Sequence, residues 1–217
     1  MDFHGNKLLF CKTKEEFDNL TLEQMEGYDT AFCPSVVTID SYNTCNSLRI
    51  NFLYKNKDLS NASLCLNACF SFIKKFHIND LIGAYGYFGT IEERNFAVSN
   101  NKIKIKNRWC NIIISLPHAT LYDVGNQHWV CKKGNIHNIP KDKSVNIHEY
   151  YDVVEKEGYV ECTVDFFERG VGKTQACGSG AFCVGMHLFK IYGKEVVVKT
   201  ENGDKYFVNQ NTISVEI

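Results

Sequence analysis

The sequence predicts an α/β (α+β) protein with two similar lobes, each a mostly antiparallel sheet wrapped around a buried central helix. Three observations lead to this prediction: several short β-rich segments, two helical segments that are apolar on nearly all sides, and similar sequences at the starts of both helices. The chain has 217 residues, 44% of them hydrophobic, which is enough to bury a core. We place the lobes at 1–106 and 107–217.

Strands are predicted where β-branched and aromatic residues cluster or alternate with polar ones. These segments are 48–54, 111–115, 160–167, 195–200 and 205–208. The last two flank Glu201-Asn202-Gly203-Asp204, and an Asn-Gly pair between two strands is a strong hairpin signal.

Helices are predicted at 64–76 and 181–192, where apolar residues occupy almost the whole helix circumference. A helix with so little polar surface is expected inside a wrapping of strands.

Composition excludes several classes of partner. The net charge is −1, so no overall field attracts nucleic acid or anionic lipid. No apolar run approaches the ~20 residues of a membrane span, and residues 1–7 do not resemble a secretion signal. We therefore expect a cytoplasmic protein. Its ten cysteines are expected to be reduced, and because they include no Cys-x-x-Cys pair we expect no metal site.

Two cysteines stand out because each lies where a strand or loop turns into a predicted helix. Cys65 is followed two residues later by Asn67, and Cys177 by Ser179. The first turn of a helix carries unpaired N–H groups and the positive end of the helix dipole. A thiol in this position has its pKa lowered, and the same N–H groups can hold a carboxylate.

Two such helix starts that face each other across a cleft would form a site for inversion at a carbon atom. One sulfur would remove the α-proton of a bound amino acid, and the other would return a proton from the opposite side. Backbone N–H groups would stabilise the negative charge that develops on the carboxylate. Most cysteines on apolar helices are only core residues. The run Gly178-Ser179-Gly180 favours function at Cys177, because packing does not require amides to be exposed in this way.

The sequence around Cys177 closely resembles the C-terminal catalytic signature of diaminopimelate epimerases. Residues 167–181 read FERGVGKTQACGSGA. Residues 56–67, NKDLSNASLCLN, resemble the N-terminal stretch Asn-Ala-Asp-Gly-Ser-(five residues)-Gly-Asn of the same family. His4-Gly5 resembles the family's opening His-Gly-Leu-Gly-Asn-Asp-Phe, and Pro117-His118 its Gly-Asn-Pro-His strand end.

The resemblance implies an isomerase that needs no pyridoxal phosphate or other cofactor and interconverts LL- and meso-diaminopimelate in lysine biosynthesis. Cys65 and Cys177 would be its two acid/base thiols. The remaining implied substrate-binding residues are the main-chain amides of Leu66, Asn67, Gly178 and Ser179 at the reacting carboxylate, and Asn56, Asn146, Glu168 and Arg169 elsewhere, with Arg169 gripping a carboxylate in bidentate fashion. A further position is taken by Asn6 if two residues are deleted, or by Leu8 in an ungapped alignment.

Three departures from the family pattern bear on which amino acid is the substrate. Leu66 replaces a glycine, Leu116 replaces an asparagine, and the spacing from Asn146 to Glu168 differs. Each polar substrate group left unmet would cost about 1–3 kcal/mol. A racemase of another amino acid, such as histidine, is therefore an alternative to a diaminopimelate epimerase.

Two alternatives from other classes remain: an inactive amino-acid-binding module with this fold, and a hydrolase with Cys177 as nucleophile and His118 or His187 as base. A phosphate-binding loop at Gly170-Val171-Gly172-Lys173-Thr174 is disfavoured, because the motif needs glycine where Phe167 stands. Expected partners are a small amino-acid substrate and, in a homodimer, a second copy of the chain.

Overall fold

A computed structural model of the chain describes residues 1–40, 47–62, 64–75, 85–89, 93–99, 102–106, 110–140, 145–210 and 212–216. The backbone divides into two units, Met1–Lys106 with Ser214–Ile217, and Asn107–Ile213. Positions 76, at the predicted end of the first helix, and 107, at the predicted lobe boundary, lie outside the described residues. Within the described ranges, no helix is long and apolar enough to cross a membrane.

In its described residues the first unit is a mixed sheet with two helices. Its elements are β1 (Asp2–Phe3), β2 (Asn6–Phe10), α1 (Lys14–Asp18), β3 (Thr30–Asp40), β4 (Ser47–Asn56), β5 (Asn61–Ala62), α2 (Leu66–Lys75), β6 (Tyr85–Gly89), β7 (Glu93–Ser99) and β8 (Lys102–Lys106). The pairs β2–β3 and β4–β6 are parallel. The pairs β1–β2, β3–β4, β4–β5, β6–β7 and β7–β8 are antiparallel.

Helix α2 packs into the core of the first unit. Every residue from Leu66 to Ile73 is buried. The Phe70 ring stacks on Phe3 with centroids 5.6 Å apart, and the Phe72 ring meets Phe52 edge-on at 5.4 Å. Burial of this segment on all sides is what its apolar sequence predicts.

In its described residues the second unit has the same kind of sheet around one helix. Its elements are β9 (Asn111–Ser115), β10 (Ala119–Asp123), β11 (Gln127–Lys132), β12 (Asn146–Glu155), β13 (Tyr159–Glu168), β14 (Gly172–Thr174), α3 (Gly178–Tyr192), β15 (Glu195–Lys199) and β16 (Lys205–Asn209), with a 3₁₀ turn at Ile136–Asn138. The last strand, β17 (Thr212–Glu216), begins in this unit and ends in the first. The pairs β11–β12 and β13–β15 are parallel. The pairs β9–β10, β10–β11, β12–β13, β13–β14 and β15–β16 are antiparallel.

Helix α3 is the core element of the second unit. It packs against β11, β12, β13, β15 and β16. Its C-cap is Gly193, whose φ of 67° lies in the left-handed region that glycine adopts without strain. Within the helix, Gly185 lies against Val208, where a Cβ atom would come 2.5 Å from Val208 Cγ2.

The two units repeat one connectivity. Strands β1–β5, helix α2 and strands β6–β7 are linked and paired in the same way as β10–β14, α3 and β15–β16. The predicted α+β fold class, dominated by sheet around buried helices, is confirmed. The five predicted strands are also present, with ends within two residues of the prediction at each end.

Candidate active site

Cys177 is the N-cap residue of α3. Its backbone is extended, with φ −136° and ψ 108°, and its carbonyl oxygen accepts the first helical hydrogen bond from the Ala181 N–H at 2.8 Å. Its Sγ accepts from the Gly180 N–H at 3.4 Å and lies 3.5 Å from Ser179 Oγ. The sulfur and the buried residues Gly178 and Ser179 therefore occupy the first turn, where helix N–H groups stabilise negative charge.

The residues predicted to bind the distal part of the substrate lie at neighbouring strand ends in this unit. Glu168 is the last residue of β13, and its Oε1 accepts a 2.7 Å hydrogen bond from the hydroxyl of Thr174, at the end of β14. Asn146 begins β12, and its Oδ1 accepts the main-chain N–H of Arg169 at 2.9 Å. Because β14 leads directly to Cys177, these bonds fix the segment that delivers the sulfur.

Two histidines that the sequence analysis did not single out lie beside Cys177. His128 on β11 and His148 on β12 are fully buried, and their facing atoms, Nδ1 and Nε2, are 2.8 Å apart. One ring nitrogen of each histidine and the Cys177 Sγ all lie within 4.8 Å of one another. The parallel pairing of β11 with β12 brings the two rings together, because His128 pairs with Asn146 and His148 lies two residues further along the strand.

Gly180 makes room for this pair. A Cβ atom at this position would lie 2.6 Å from Cε1 and 2.8 Å from Cδ2 of His148, well inside ordinary contact. The first turn of α3 can therefore approach β12 closely only where the helix has no side chain. This close packing places the His148 ring next to the sulfur-bearing turn.

Both histidines are held in the uncharged state. Burial lowers the pKa of His128 to about 3. Burial, and secondarily the neighbouring His128, lowers the pKa of His148 well below its usual value. In the neutral pair one facing nitrogen donates and the other accepts, so the hydrogen bond requires complementary tautomers of the two rings.

Cys65 holds the corresponding place in the first unit. It directly precedes α2, and its carbonyl oxygen accepts the Cys69 N–H at 3.2 Å, the bond that an N-cap carbonyl makes. The Cys65 side chain is half-buried, whereas Leu66 and Asn67 in the first turn are almost wholly buried. The bulk of Leu66 is thus packed away from solvent.

Asn56 is the last residue of β4, and its Nδ2 donates to Ser60 Oγ at 2.9 Å. The Ser60 N–H donates in turn to Asp58 Oδ1 at 3.0 Å. Both positions considered at the N-terminus lie on β2 and are buried, Asn6 at its first residue and Leu8 at its centre. Which of them meets the substrate stays a prediction.

The two cysteines occupy equivalent positions. In each unit a ten-residue strand ends nine residues before the cysteine, at Asn56 or Glu168. In each unit that last side chain forms a hydrogen bond with a hydroxyl, of Ser60 or Thr174, on the segment that leads to the helix. The similarity between the helix starts is therefore a similarity of structure as well as of sequence.

A repeated Gly-Asn turn is the signal that could have identified His128. Gly5 lies in the turn from β1 to β2 and precedes Asn6, and Gly125-Asn126 lies in the turn from β10 to β11; both glycines have positive φ, 81° and 100°. Gly125-Asn126-Gln127-His128 also fits the Gly-Asn-Pro-His strand end at three of four positions. Pro117-His118, which was matched to that motif, lies instead in the exposed loop between β9 and β10.

The other histidine proposed as a hydrolytic base has a different partner. His187 Nδ1 lies 3.1 Å from the hydroxyl of Tyr122, and burial, with a smaller contribution from Lys190, lowers its pKa. The histidines that lie beside Cys177 are instead His128 and His148, whose lowered pKa values make both rings weak proton acceptors.

Comparison with solved structures identifies the fold. A hydroxyproline epimerase from Agrobacterium vitis, with bound trans-4-hydroxy-L-proline, matches 85% of this chain and 72% of its own, with a TM-score of 0.52 and 10% identity. A probable proline racemase from Agrobacterium radiobacter K84, with bound carbonate, matches 86% of this chain and 73% of its own, with a TM-score of 0.51 and 8% identity. No protein-family model and no curated protein gives a significant match to the sequence. The chain thus has the fold of these enzymes.

Proposed function

We propose that this protein is a cofactor-independent racemase or epimerase of an amino acid, with Cys65 and Cys177 as its two acid/base groups. The observation that carries the proposal is the equivalent position of both sulfurs, each at the start of a buried helix in one of two units with the same connectivity. Solved structures with this fold include a hydroxyproline epimerase and a probable proline racemase, which supports the same reaction class.

In the proposed reaction, the first-turn amides of α2 and α3 hold the substrate carboxylate. A thiolate at one cysteine takes the α-proton, and the electron pair left on the carbon spreads into the carboxylate. The helix N–H groups stabilise that charge. The thiol of the other cysteine then donates its proton to the opposite face. One sulfur ends as a thiol and the other as a thiolate, and exchange with solvent restores the starting state.

The substrate is proposed as a free amino acid, with LL- or meso-diaminopimelate as the first candidate. The support is the signature at 167–181, with Glu168 and Arg169 at the end of β13. Proline and 4-hydroxyproline are further candidates on the likeness of fold, and histidine remains one because Leu66 replaces a glycine of the epimerase pattern.

A hydrolase is a second candidate because of one observation. Cys177 lies beside His128 and His148, and cysteine hydrolases pair their nucleophile with a histidine. The lowered pKa of each ring opposes its action as the base, so the two-thiol reaction is the better supported of the two. The two candidates differ in their need for Cys65, which only the two-thiol reaction uses.

The decisive experiment is amino-acid turnover in deuterated water, followed by chiral chromatography and mass spectrometry. Diaminopimelate, proline, 4-hydroxyproline and histidine are the first substrates to test. A two-thiol enzyme places solvent deuterium at the α-carbon of the product, while unreacted substrate initially keeps its hydrogen.

Alanine variants of the two cysteines test the assignment of roles. Cys65→Ala and Cys177→Ala should each lower inversion about 10²- to 10⁴-fold, the range for loss of an acid/base group. Cys69→Ala and Cys183→Ala, which remove other buried thiols from the same helices, are the matched controls and should keep activity. Full inversion by Cys65→Ala would refute the proposal, and hydrolysis retained by that variant would favour the hydrolase. Amino-acid binding without exchange in a variant that lacks both cysteines would favour a binding module.

A further inference from the structure

Three metal-binding side chains converge inside the second unit, although the sequence shows no metal-binding spacing. They are His128 on β11, His148 on β12 and Cys177 at the start of α3, and all three are buried. One ligand atom from each lies within 4.8 Å of the other two. Three separate elements supply the donors, so the set forms only in the folded unit.

The distances between the three ligand atoms are close to those between the ligands of a tetrahedral zinc ion. Zinc binds histidine nitrogen at about 2.0–2.1 Å and cysteine sulfur at about 2.3 Å, so tetrahedral ligands lie roughly 3.3–3.6 Å apart. The facing histidine nitrogens are 2.8 Å apart, and no pair of ligand atoms in the cluster is separated by more than 4.8 Å. Adjustments of about 1 Å would therefore satisfy all three distances at once.

The outer ring nitrogens of the pair, His128 Nε2 and His148 Nδ1, are also buried and have no hydrogen-bond partner among the described residues. Each histidine therefore has a second nitrogen that can carry the ring proton while the facing nitrogen binds a cation. Gly180 adds to this, because its missing side chain admits the His148 ring beside the sulfur.

We propose that the second unit binds a divalent cation of the Zn²⁺ class through one ring nitrogen each of His128 and His148 and through Cys177 Sγ. The fourth tetrahedral position is open to water. Binding releases the thiol proton of Cys177 to solvent. The proton shared by the histidines stays in the pair, on a ring nitrogen that does not face the metal. The cation occupies the sulfur that the proposed reaction uses and therefore inhibits it, a consequence that rests on the proposed function.

Cobalt substitution tests the site without any assay of activity. The reduced protein is titrated with Co²⁺ in a reductant that lacks thiols, and Zn²⁺ is then added as competitor. We expect visible bands of tetrahedral Co²⁺, together with a near-ultraviolet thiolate-to-cobalt band, and loss of both on addition of Zn²⁺. His128→Gln, His148→Gln and Cys177→Ser should each weaken binding by more than the ~10- to 100-fold that loss of an outer-shell partner costs. His187→Gln, on the same helix as the site but bonded to Tyr122, should bind as the parent does.

A second measurement uses the unaltered protein, so it tests the site even if the variants fail to fold. Peptide mapping after brief alkylation should show that Zn²⁺ protects Cys177 but leaves the reactivity of Cys65 unchanged. Absence of the thiolate band, undiminished affinity in Cys177→Ser, or equal protection of both cysteines would overturn the proposal. Cobalt binding with no inversion of any amino acid would instead count against the proposed function alone.

Discussion

Replacing Gly180 with alanine should disturb the histidine pair without removing a polar group. The new Cβ would clash with the His148 ring, most closely at Nε2, so the ring must retreat by about 1 Å to reach an ordinary contact of 3.4 Å. The Gly180 N–H, which donates to Cys177 Sγ, is retained. The variant therefore tests how the position of the His148 ring affects the reactivity of Cys177.

The expected cost combines two opposing effects. Overpacking a well-packed interior costs about 1–3 kcal/mol, whereas alanine gains up to about 1 kcal/mol over glycine in a helix, the full gain being that of the helix interior. Because Gly180 lies in the first turn, we expect Gly180→Ala to lower the free energy of unfolding by roughly 0–3 kcal/mol. Gly185→Ala is the matched control, because its Cβ would meet Val208 Cγ2 at 2.5 Å on the same helix but against β16.

Histidine ring ¹⁵N NMR provides the assay, with urea unfolding measured in parallel. Gly180→Ala should change the signals of His128 and His148, since their 2.8 Å hydrogen bond lengthens, while Gly185→Ala should leave them in place. The alkylation rate of Cys177, followed by peptide mapping, should change only in Gly180→Ala. Unchanged ring signals in a Gly180→Ala variant of full stability would show that His148 does not pack against this glycine.

Two further predictions concern the same unit. Because the folded pKa values of His128 and His148 lie below the unfolded value, the unfolded chain binds more protons as the pH falls below about 6.5. The free energy of unfolding should then fall by up to ~1.4 kcal/mol per pH unit for each histidine, and urea unfolding of a double His→Gln variant should show a smaller slope. Thr174→Val keeps the side-chain shape but removes the donor to Glu168, so it should cost about 1.5–3 kcal/mol in urea unfolding if Glu168 is ionised. An unchanged midpoint for Thr174→Val would mean that this bond does not hold the segment before Cys177.

Much of the fold follows from local sequence. The buried helices were predictable because almost no polar residue interrupts them, and the Asn-Gly turn identified the hairpin of β15 and β16. The start of α3 was placed at Ala181, whereas the helix begins at Gly178. Glycines disfavour a helix interior, but in the first turn the Cys177 cap and close packing on His148 outweigh that preference.

Strand β12 shows why other elements were missed. Its sequence, NIHEYYDVVE, mixes charged and apolar residues without regular alternation, and its pairing with β11 and β13 decides its conformation. Strand formation of this kind depends on partners distant in sequence.

The candidate site likewise contains residues that local sequence predicts and residues that only distant pairing brings together. Cys177 was recognisable because its glycine-rich surroundings are contiguous in the chain. His148 was not, because it lies 20 residues from His128 and only the parallel β11–β12 pairing joins the two. Sequence motifs for metal sites depend on ligands that lie close together in the chain. They therefore could not reveal the cluster of His128, His148 and Cys177, which two strands and a helix supply.

The two-thiol proposal requires that Cys65 and Cys177 approach the same carbon atom from opposite sides. Mild oxidation of the substrate-free protein, followed by peptide mapping without reduction, tests this most directly. The proposal predicts a disulfide between the peptides that contain these two cysteines, prevented by bound substrate and reversed by reductant. Oxidised protein in which these two cysteines never share a cross-link, although both remain reactive towards alkylation, would contradict it.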